Sequence, residues 1–358
     1  MRFGICYNVE YHEEVHKSPS NYVGQIMEQV ELLEHLGFDT VWFSEHHCAG
    51  YSFGNPAVIA ANAAARTKTI RIGTGVSLLP LHHPIKLAEE FGLLDVLSGG
   101  RLEYGIGRGY LMHEYDWFQV PRGESHQRYH EAADFIVNAW TSTGPIDWKG
   151  QYFPVEKYSY APKPVQQPFP PIYASAGSTV DSFRWAGEHG FNLGTALFLP
   201  DLDYVVENIA LYRRSLIEHG HDPATREVMA ITQMYCSPDR EEALRDGRTY
   251  AENYYRFFAN LSGESPHNPI YQYYMTADAL EMNARDQVLL GDPADLTRRI
   301  QGLRDRMGLD LLLMEVAQGG APHEKVCRAL ESFAAGVIPA FKSDDSRSAP
   351  QGVAAVPA

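Results

Sequence analysis

Positive charge is scarce in this chain. Lysine and arginine number 30 against 45 aspartates and glutamates, for a formal net charge of -15 at pH 7. A field of that sign repels a phosphate backbone, which excludes nucleic acid as a partner; a few clustered arginines still suffice for one small anion. Cysteine is scarcer still. Cys6, Cys48, Cys236 and Cys327 lie far apart and match no metal-ligand spacing, so no metal is expected and a reducing cytoplasm is the natural compartment. No apolar run approaches the ~20 residues of a membrane span. The opening MRFGICYNVE lacks the apolar core of a signal peptide. A G-x-G-x-x-G turn after the first strand, which an open doubly wound sheet would favour, is also missing. With 44% hydrophobic and 21% charged residues over 358 positions, the chain has material for one large barrel or two smaller domains.

The most informative stretch is Arg101-Leu102-Glu103-Tyr104-Gly105-Ile106-Gly107-Arg108-Gly109. Leu102, Tyr104 and Ile106 alternate with polar or small residues, the period of a strand. The strand runs into Gly107-Arg108-Gly109, where glycines permit close backbone approach and the arginine offers a planar fork of donors suited to phosphate. An ordinary glycine-rich turn with a surface arginine would read the same way, so the rest of the chain decides.

Further strands are expected at 2–9, 38–44, 70–79, 172–174, 191–197, 228–236 and 309–316. Between them, helical spacing and cap residues place helices at 25–36 with its start offered by Pro19-Ser20-Asn21, and at 55–65, 84–97, 126–139, 180–189, 201–218, 241–260 and 293–307, with a last one at 323–341. Two stretches break the rhythm. Residues 141–171 read as a surface excursion whose aromatics must pack on something, and residues 261–286 as a second irregular region. Eight strands alternating with helices, and no linker, indicate a closed (β/α)8 barrel as one domain over 1–342, with insertions after strands 4 and 7. The Ser-, Ala- and Pro-rich residues 343–358 are expected to form a disordered tail.

In such a barrel the strand C-termini converge on one site. The second strand delivers Glu45, His46 and His47, the third Gly75 and Val76, and the fourth Arg108 with Tyr110 close behind. The fifth delivers Ser175-Ala176-Gly177-Ser178-Thr179, and the eighth Glu315 and Gln318-Gly319-Gly320. Ser175 to Thr179 open a helix, and a helix start presents free N–H groups and partial positive charge to an anion; the plain alternative is a self-capping helix. Arg108 on the adjacent strand end favours a monophosphate site. Adjacent histidines on a strand end point to opposite sides, so His46 and His47 do not chelate one ion; one imidazole is aimed at the site, able to move a proton near neutral pH.

The runs GFDTVWFSEHH, IRIGTGVSLLPLHHPIKLAEEFGLLDVLSGGRLEYGIGRG and IYASAGSTVDSFRWAGEHGF together resemble bacterial luciferase and the wider luciferase-like monooxygenases. The resemblance spans nearly the whole chain. It implies the (β/α)8 barrel, reduced FMN as bound cosubstrate supplied by a separate flavin reductase, and reaction of that flavin with O2 to a C4a-peroxide that oxidises an organic substrate. His46 resembles the catalytic histidine, and Gly75-Val76 the site of a non-prolyl cis peptide against the flavin ring. Arg108 resembles the phosphate-binding arginine, Glu45 and Tyr110 flank the cofactor, and Ser175, Ala176, Gly177, Ser178 and Thr179 form the rest of the cradle. Residues 261–286 fall where a mobile lid is expected, and helices flanking the early strands where the family pairs as a homodimer.

Four departures stand out. Gly107 replaces a reactive cysteine, Ser175 a glutamate and Ala176 a serine, while His126 takes the place of a second phosphate-contacting arginine, with Arg128 nearby. They point to a related monooxygenase with another substrate, among which an aldehyde, a ketone and an aromatic or polyketide metabolite stay open. A deazaflavin-dependent dehydrogenase on the same barrel and a non-catalytic FMN-binding protein are the alternatives.

Overall fold

The computed structural model describes residues 1–48, 50, 52–261 and 269–342. The expected tail and residues 262–268 of the second insertion lie outside the described residues.

Eight strands form the barrel: β1 (Arg2–Tyr7), β2 (Thr40–Phe43), β3 (Arg71–Thr74), β4 (Leu102–Gly107), β5 (Ile172–Ser175), β6 (Asn192–Ala196), β7 (Val228–Cys236) and β8 (Leu311–Glu315). Each pairs in parallel with its successor, and β8 pairs in parallel with β1, so the ring closes. The crossovers are α1 (Pro19–Leu36), α2 (Pro56–Arg66), α3 (Pro84–Ser98), α4 (Ser125–Thr141), α5 (Val180–Glu188), α6 (Leu202–Glu218), α7 (Arg240–Leu261) and α8 (Pro293–Met307), and α9 (His323–Gly336) follows β8. Local chemistry sets their ends. Ser18, Asn55, Asp201 and Asp292 cap α1, α2, α6 and α8 by accepting from backbone N–H groups of the first turn. Among the described residues no helix is long and apolar enough to cross a membrane.

Several boundaries differ from expectation. Helix α1 begins at Pro19, the expected start, with Ser18 capping it, while the polar stretch before it holds an unexpected short helix, Glu13–His16. The expected third strand is interrupted: β3 ends at Thr74, the Gly75–Val76 peptide is cis, and Ser77–Leu78 resumes pairing with the end of β4. The last helix divides at Val337, and Ile338–Lys342 continues it, since Pro339 lacks the N–H that an unbroken helix would need. The first excursion contains an antiparallel hairpin, Ile146–Trp148 with Val155–Tyr158, and its aromatics pack on the core as expected; Phe153 is buried and Tyr158 stacks on Tyr160. The second holds short helices at Pro269–Met275 and Ala279–Ala284, then Leu289–Gly291 pairing with the far end of β7.

The barrel interior is filled around Trp42. A Cβ on Gly73 would lie 2.3 Å from its indole and one on Gly105 2.7 Å, so the two glycines make the space that the ring occupies. The indole N–H donates to Thr40 Oγ1 at 2.8 Å and the Thr40 hydroxyl to Glu103 Oε2 at 2.8 Å. Below lies a charged plug in which Glu103 Oε1 accepts from Arg2 Nη1 at 2.7 Å and Arg71 Nε at 2.8 Å. Burial pushes the Glu103 carboxyl up, but the Arg2 and Arg71 charges outweigh it and hold the group at about 2.

Because Glu103 ionises more readily in the folded chain than its ordinary 4.5, its stabilisation is fully present above about pH 4.5 and is lost as pH falls toward 2. Glu103→Ala leaves two arginines facing each other and is expected to lower unfolding free energy by about 3–5 kcal/mol at neutral pH, read from urea denaturation. The same experiment near pH 2 should find wild type and variant much closer; a gap independent of pH would contradict the ion plug.

Candidate active site

At the C-terminal mouth of the barrel, the end of β2 sends His46 and His47 to different partners. His46 is buried, and its Nδ1 lies 3.1 Å from Glu114 Oε1, which also accepts the His47 backbone N–H at 2.8 Å. Glu114 belongs to the short helix Met112–Trp117 and is fully enclosed. An ionised Glu114 accepts Nδ1–H and leaves the Nε2 lone pair of His46 toward Tyr110, whose hydroxyl is 3.4 Å away. Glu114 escaped the sequence reading because a six-residue helix carries no useful periodicity; its one signal is a carboxylate shortly after Arg108.

His47 turns the other way. Its Nε2 lies 2.9 Å from Glu45 Oε1, the same oxygen engages His82 Nε2, and Glu45 Oε2 accepts the Leu78 N–H at 2.9 Å. Burial raises the Glu45 carboxyl, and the bonds from His47 and His82 overcome this and bring it to about 2. Glu45, expected at the cofactor, thus spends its oxygens holding the β2 and β3 loops together. The donor atoms of Glu45, His47 and His82 lie within 4.8 Å of one another, a grouping that the sequence spacing does not reveal; hydrogen bonds within the group satisfy them.

The cis Gly75–Val76 bond stands at the end of β3, and Gly75 N–H donates to Phe43 O at 2.9 Å. Val76 lies over the end of β4, where a Cβ on Gly107 would be 2.3 Å from Val76 Cγ2. The space for a side chain at 107 is therefore already filled, which accounts for glycine at the position where a cysteine was expected.

Arg108 follows directly. The β4–β5 pairing ends with Ile106 opposite Ala174, so the chain leaves these two adjacent strands at Arg108 and at Ala176 on the same side of the barrel. Among the described residues the Arg108 guanidinium makes no hydrogen bond or ion pair. Its charge is felt by Tyr115, Tyr129 and His130. Tyr129 is buried with its hydroxyl unpartnered among the described residues. His130 stacks on Trp185 of α5 (centroids 4.4 Å, planes 4° apart), with His126 4.2 Å from it one turn earlier in α4. Burial, then His126 and His189, push His130 down to about 4. Arg128 is committed elsewhere, to Glu124 at 2.8 Å and over the Tyr152 ring at 4.6 Å, so it does not supplement Arg108.

The start of α5 completes this side. Thr179 holds the N-cap position without capping; its hydroxyl meets Ser182 Oγ at 2.7 Å. The Gly177 and Ser178 N–H groups have no partner among the described residues, and Ser175, Ser178 and Thr179 are exposed. A guanidinium without an anion, an uncapped helix start and several hydroxyls form a donor set that fits a phosphate dianion.

Gly107→Ala is expected to destabilise the protein by about 1–3 kcal/mol through the clash with Val76, measured as a shift in denaturation midpoint. The double variant with Val76→Ala should recover most of the loss, because the two sites share one volume. Additive losses would contradict that account.

The family model described as "Luciferase-like monooxygenase" matches residues 1–313. The oxygenase component of a flavin-dependent trigonelline monooxygenase from Acinetobacter baylyi is 32% identical over 248 residues, 68% of this chain and 67% of that protein. Monooxygenase RslO1 from Streptomyces bottropensis superposes with a TM-score of 0.83 at 25% identity, covering 95% of this chain and 100% of that one. The oxygenating constituent of 3,6-diketocamphane monooxygenase from Pseudomonas putida, a type II Baeyer–Villiger enzyme solved with FMN, superposes with a TM-score of 0.78 at 22% identity, covering 95% and 98%. With the barrel, the strand-end residues and these likenesses together, the chain belongs to the luciferase-like monooxygenase family.

Proposed function

We propose that the protein is the oxygenase of a two-component system that takes reduced FMN from a separate flavin reductase and uses O2 to oxidise a small apolar organic substrate such as an aldehyde, ketone or aromatic compound. The observation that carries this reading is Arg108, presented without an anionic partner among the described residues beside the uncapped start of α5. Trigonelline monooxygenase and the FMN complex of the diketocamphane enzyme support it from the relatives' side. Bound reduced flavin supplies the electrons that activate O2.

Each part of the chain then has a task. Arg108, the α5 amides and the Ser178 and Thr179 hydroxyls hold the phosphate. Gly75, Val76 and Gly107 offer a low wall of backbone and one methyl group on which a flat ring rests. His46, oriented by Glu114, holds or takes a proton at Nε2. Tyr110, Phe258 and Tyr274, in ring contact at 5.6 and 4.8 Å, exclude water from the mouth. The exposed Leu93 and Leu97, one turn apart near the end of α3, leave apolar surface beside the early strands that suits a homodimer contact.

Arg108→Ala should weaken FMN binding by about 10–100-fold while leaving riboflavin nearly unchanged in fluorescence titrations; equal losses for both ligands would remove the phosphate role. Glu114→Ala should lower kcat by about 100-fold or more with FMN affinity within twofold, since the histidine loses its orienting acceptor while the groups assigned to the cofactor are untouched. Turnover assays with a flavin reductase and a substrate panel test the reaction itself. Flavin reoxidation at its free rate with no oxygenated product would leave a carrier of FMN, and preferential binding of a deazaflavin with O2-independent hydride transfer would make it a dehydrogenase.

A further inference from the structure

The mouth of the barrel divides into two unlike arcs. Cys6, Trp42, Tyr173 and Leu313 pack together in the interior with Ile231 against them, and Gly73, Gly105 and Gly194 face the same space, so residues two further along each of these strands also face inward. On β3 to β6 that next layer is Gly75, Gly107, Ser175 and Ala196, all small. On β7, β8, β1 and β2 it is Gln233, Glu315, Asn8 and Ser44, all polar. The four small residues adjoin one another round the ring, and so do the four polar ones. The small arc borders Arg108, α5 and the cis peptide, the side assigned above to the flavin.

The polar arc is joined by hydrogen bonds. Gln233 Nε2 donates to Glu315 Oε2 at 2.8 Å, and Tyr255 OH to Gln233 Oε1 at 2.6 Å. Ser44 Oγ donates to Asn8 Oδ1 at 2.8 Å, Asn8 Nδ2 to Tyr254 OH at 3.1 Å, and Gln318 Nε2 to the Asn8 carbonyl at 3.0 Å. One group is left over. Gln318 Oε1, in a side chain only 3% exposed, has no donor among the described residues. A buried acceptor in want of a donor, beside a carboxyl group at the mouth, suits a guest that brings a hydroxyl. The walls above are rings: Tyr255 stacks near Tyr274 at 5.7 Å, and Tyr274 meets Phe258.

We propose that the Gln233–Glu315–Asn8 arc, with Gln318, is the recognition surface for the substrate, and that it selects a flat aromatic ring bearing one hydroxyl group, whose O–H donates to Glu315 or Gln318. The proposal rests on the flavin reading for which arc is free. Burial pushes the Glu315 carboxyl up to about 7, so it exchanges between donor and acceptor near neutral pH and matches a hydroxyl, which is both. The titratable groups around it are Cys6 and Glu10 on the β1 side, Tyr255 on α7, Tyr274 on the Pro269–Met275 helix and Tyr110 after β4. The phenols among them remain protonated in that range, since burial raises Tyr110, Tyr255 and Tyr274.

The probe is 4-nitrophenol, whose absorption reports its own ionisation, titrated into the full-length protein with and without oxidised FMN across neutral pH. Glu315 as acceptor favours the neutral phenol, so the bound probe should stay protonated to about one pH unit above its value in water. Glu315→Gln should abolish that displacement and weaken the probe about tenfold while FMN affinity holds within twofold. Tyr255→Phe, which keeps the carboxyl and frees Gln233, should give a smaller displacement. The proposal is overturned if the wild type binds the probe without saturation, or if wild type and Glu315→Gln titrate alike. It is also overturned if Glu315→Gln weakens FMN and riboflavin in parallel, which would assign the arc to the flavin. If Arg108→Ala fails to discriminate FMN from riboflavin while the probe behaves as expected, the flavin reading falls and the hydroxyl site stands.

Discussion

Trp42 on the barrel axis sets the frame for everything at the mouth. Its indole lies where Gly73 and Gly105 have no side chains, and it hangs by its N–H from Thr40, which in turn holds Glu103. A one-residue slip of β2, β3 or β4 would turn every side chain of that strand to the other face. The indole would then meet a side chain in place of a glycine, and Glu103 would lose Arg2 and Arg71. Packing and charge at the lower end thus hold the register that decides which eight residues face the upper end. Stability and function are divided along the strands: ions and aromatics at the N-terminal end, and small or hydrogen-bonding groups at the C-terminal end.

The chemistry follows from how unevenly the mouth is furnished. The fixed cation, Arg108, stands on the small-residue side, where the helix start adds a second source of positive potential. The buried carboxyl that exchanges its proton near neutrality, Glu315, stands on the opposite side. His46, with Glu114 behind it, lies at the end of β2, where the polar arc meets the small one. Positive potential is thus concentrated on one arc and neutral hydrogen-bonding groups on the other, with the His46 imidazole at their junction, in a chain of formal charge -15.

The departures from the family's pattern have unequal explanations. Glycine at 107 is accounted for by Val76, which occupies the volume a larger residue would need. His126 in place of an arginine packs against His130, which itself stacks on Trp185, and Arg128 is no substitute because Glu124 and Tyr152 hold it. Nothing in the structure explains Ser175 or Ala176 in the same way; Ser175 faces the mouth and Ala176 is buried with its N–H on Gly194 O.

The sequence by itself determined the barrel, the order of its strands and the identity of most strand-end groups. Alternation with period two and helix caps are local signals, and parallel connections then dictate where strand ends meet. Arg108, His46, Gly75, Val76 and the Ser175 to Thr179 turn were legible for that reason. Only the tertiary structure decided which side chains share a bond. Glu114 behind His46, His82 on Glu45, Val76 over Gly107 and Gln233 on Glu315 are contacts between segments 31 to 82 residues apart. Such pairs depend on helix length, loop path and the close packing of neighbouring strands, none of which leaves a periodic trace in the chain. The cis Gly75–Val76 bond, by contrast, was expected from the family resemblance and is present; what the strand's alternation alone did not show is that β3 stops at Thr74 because of it.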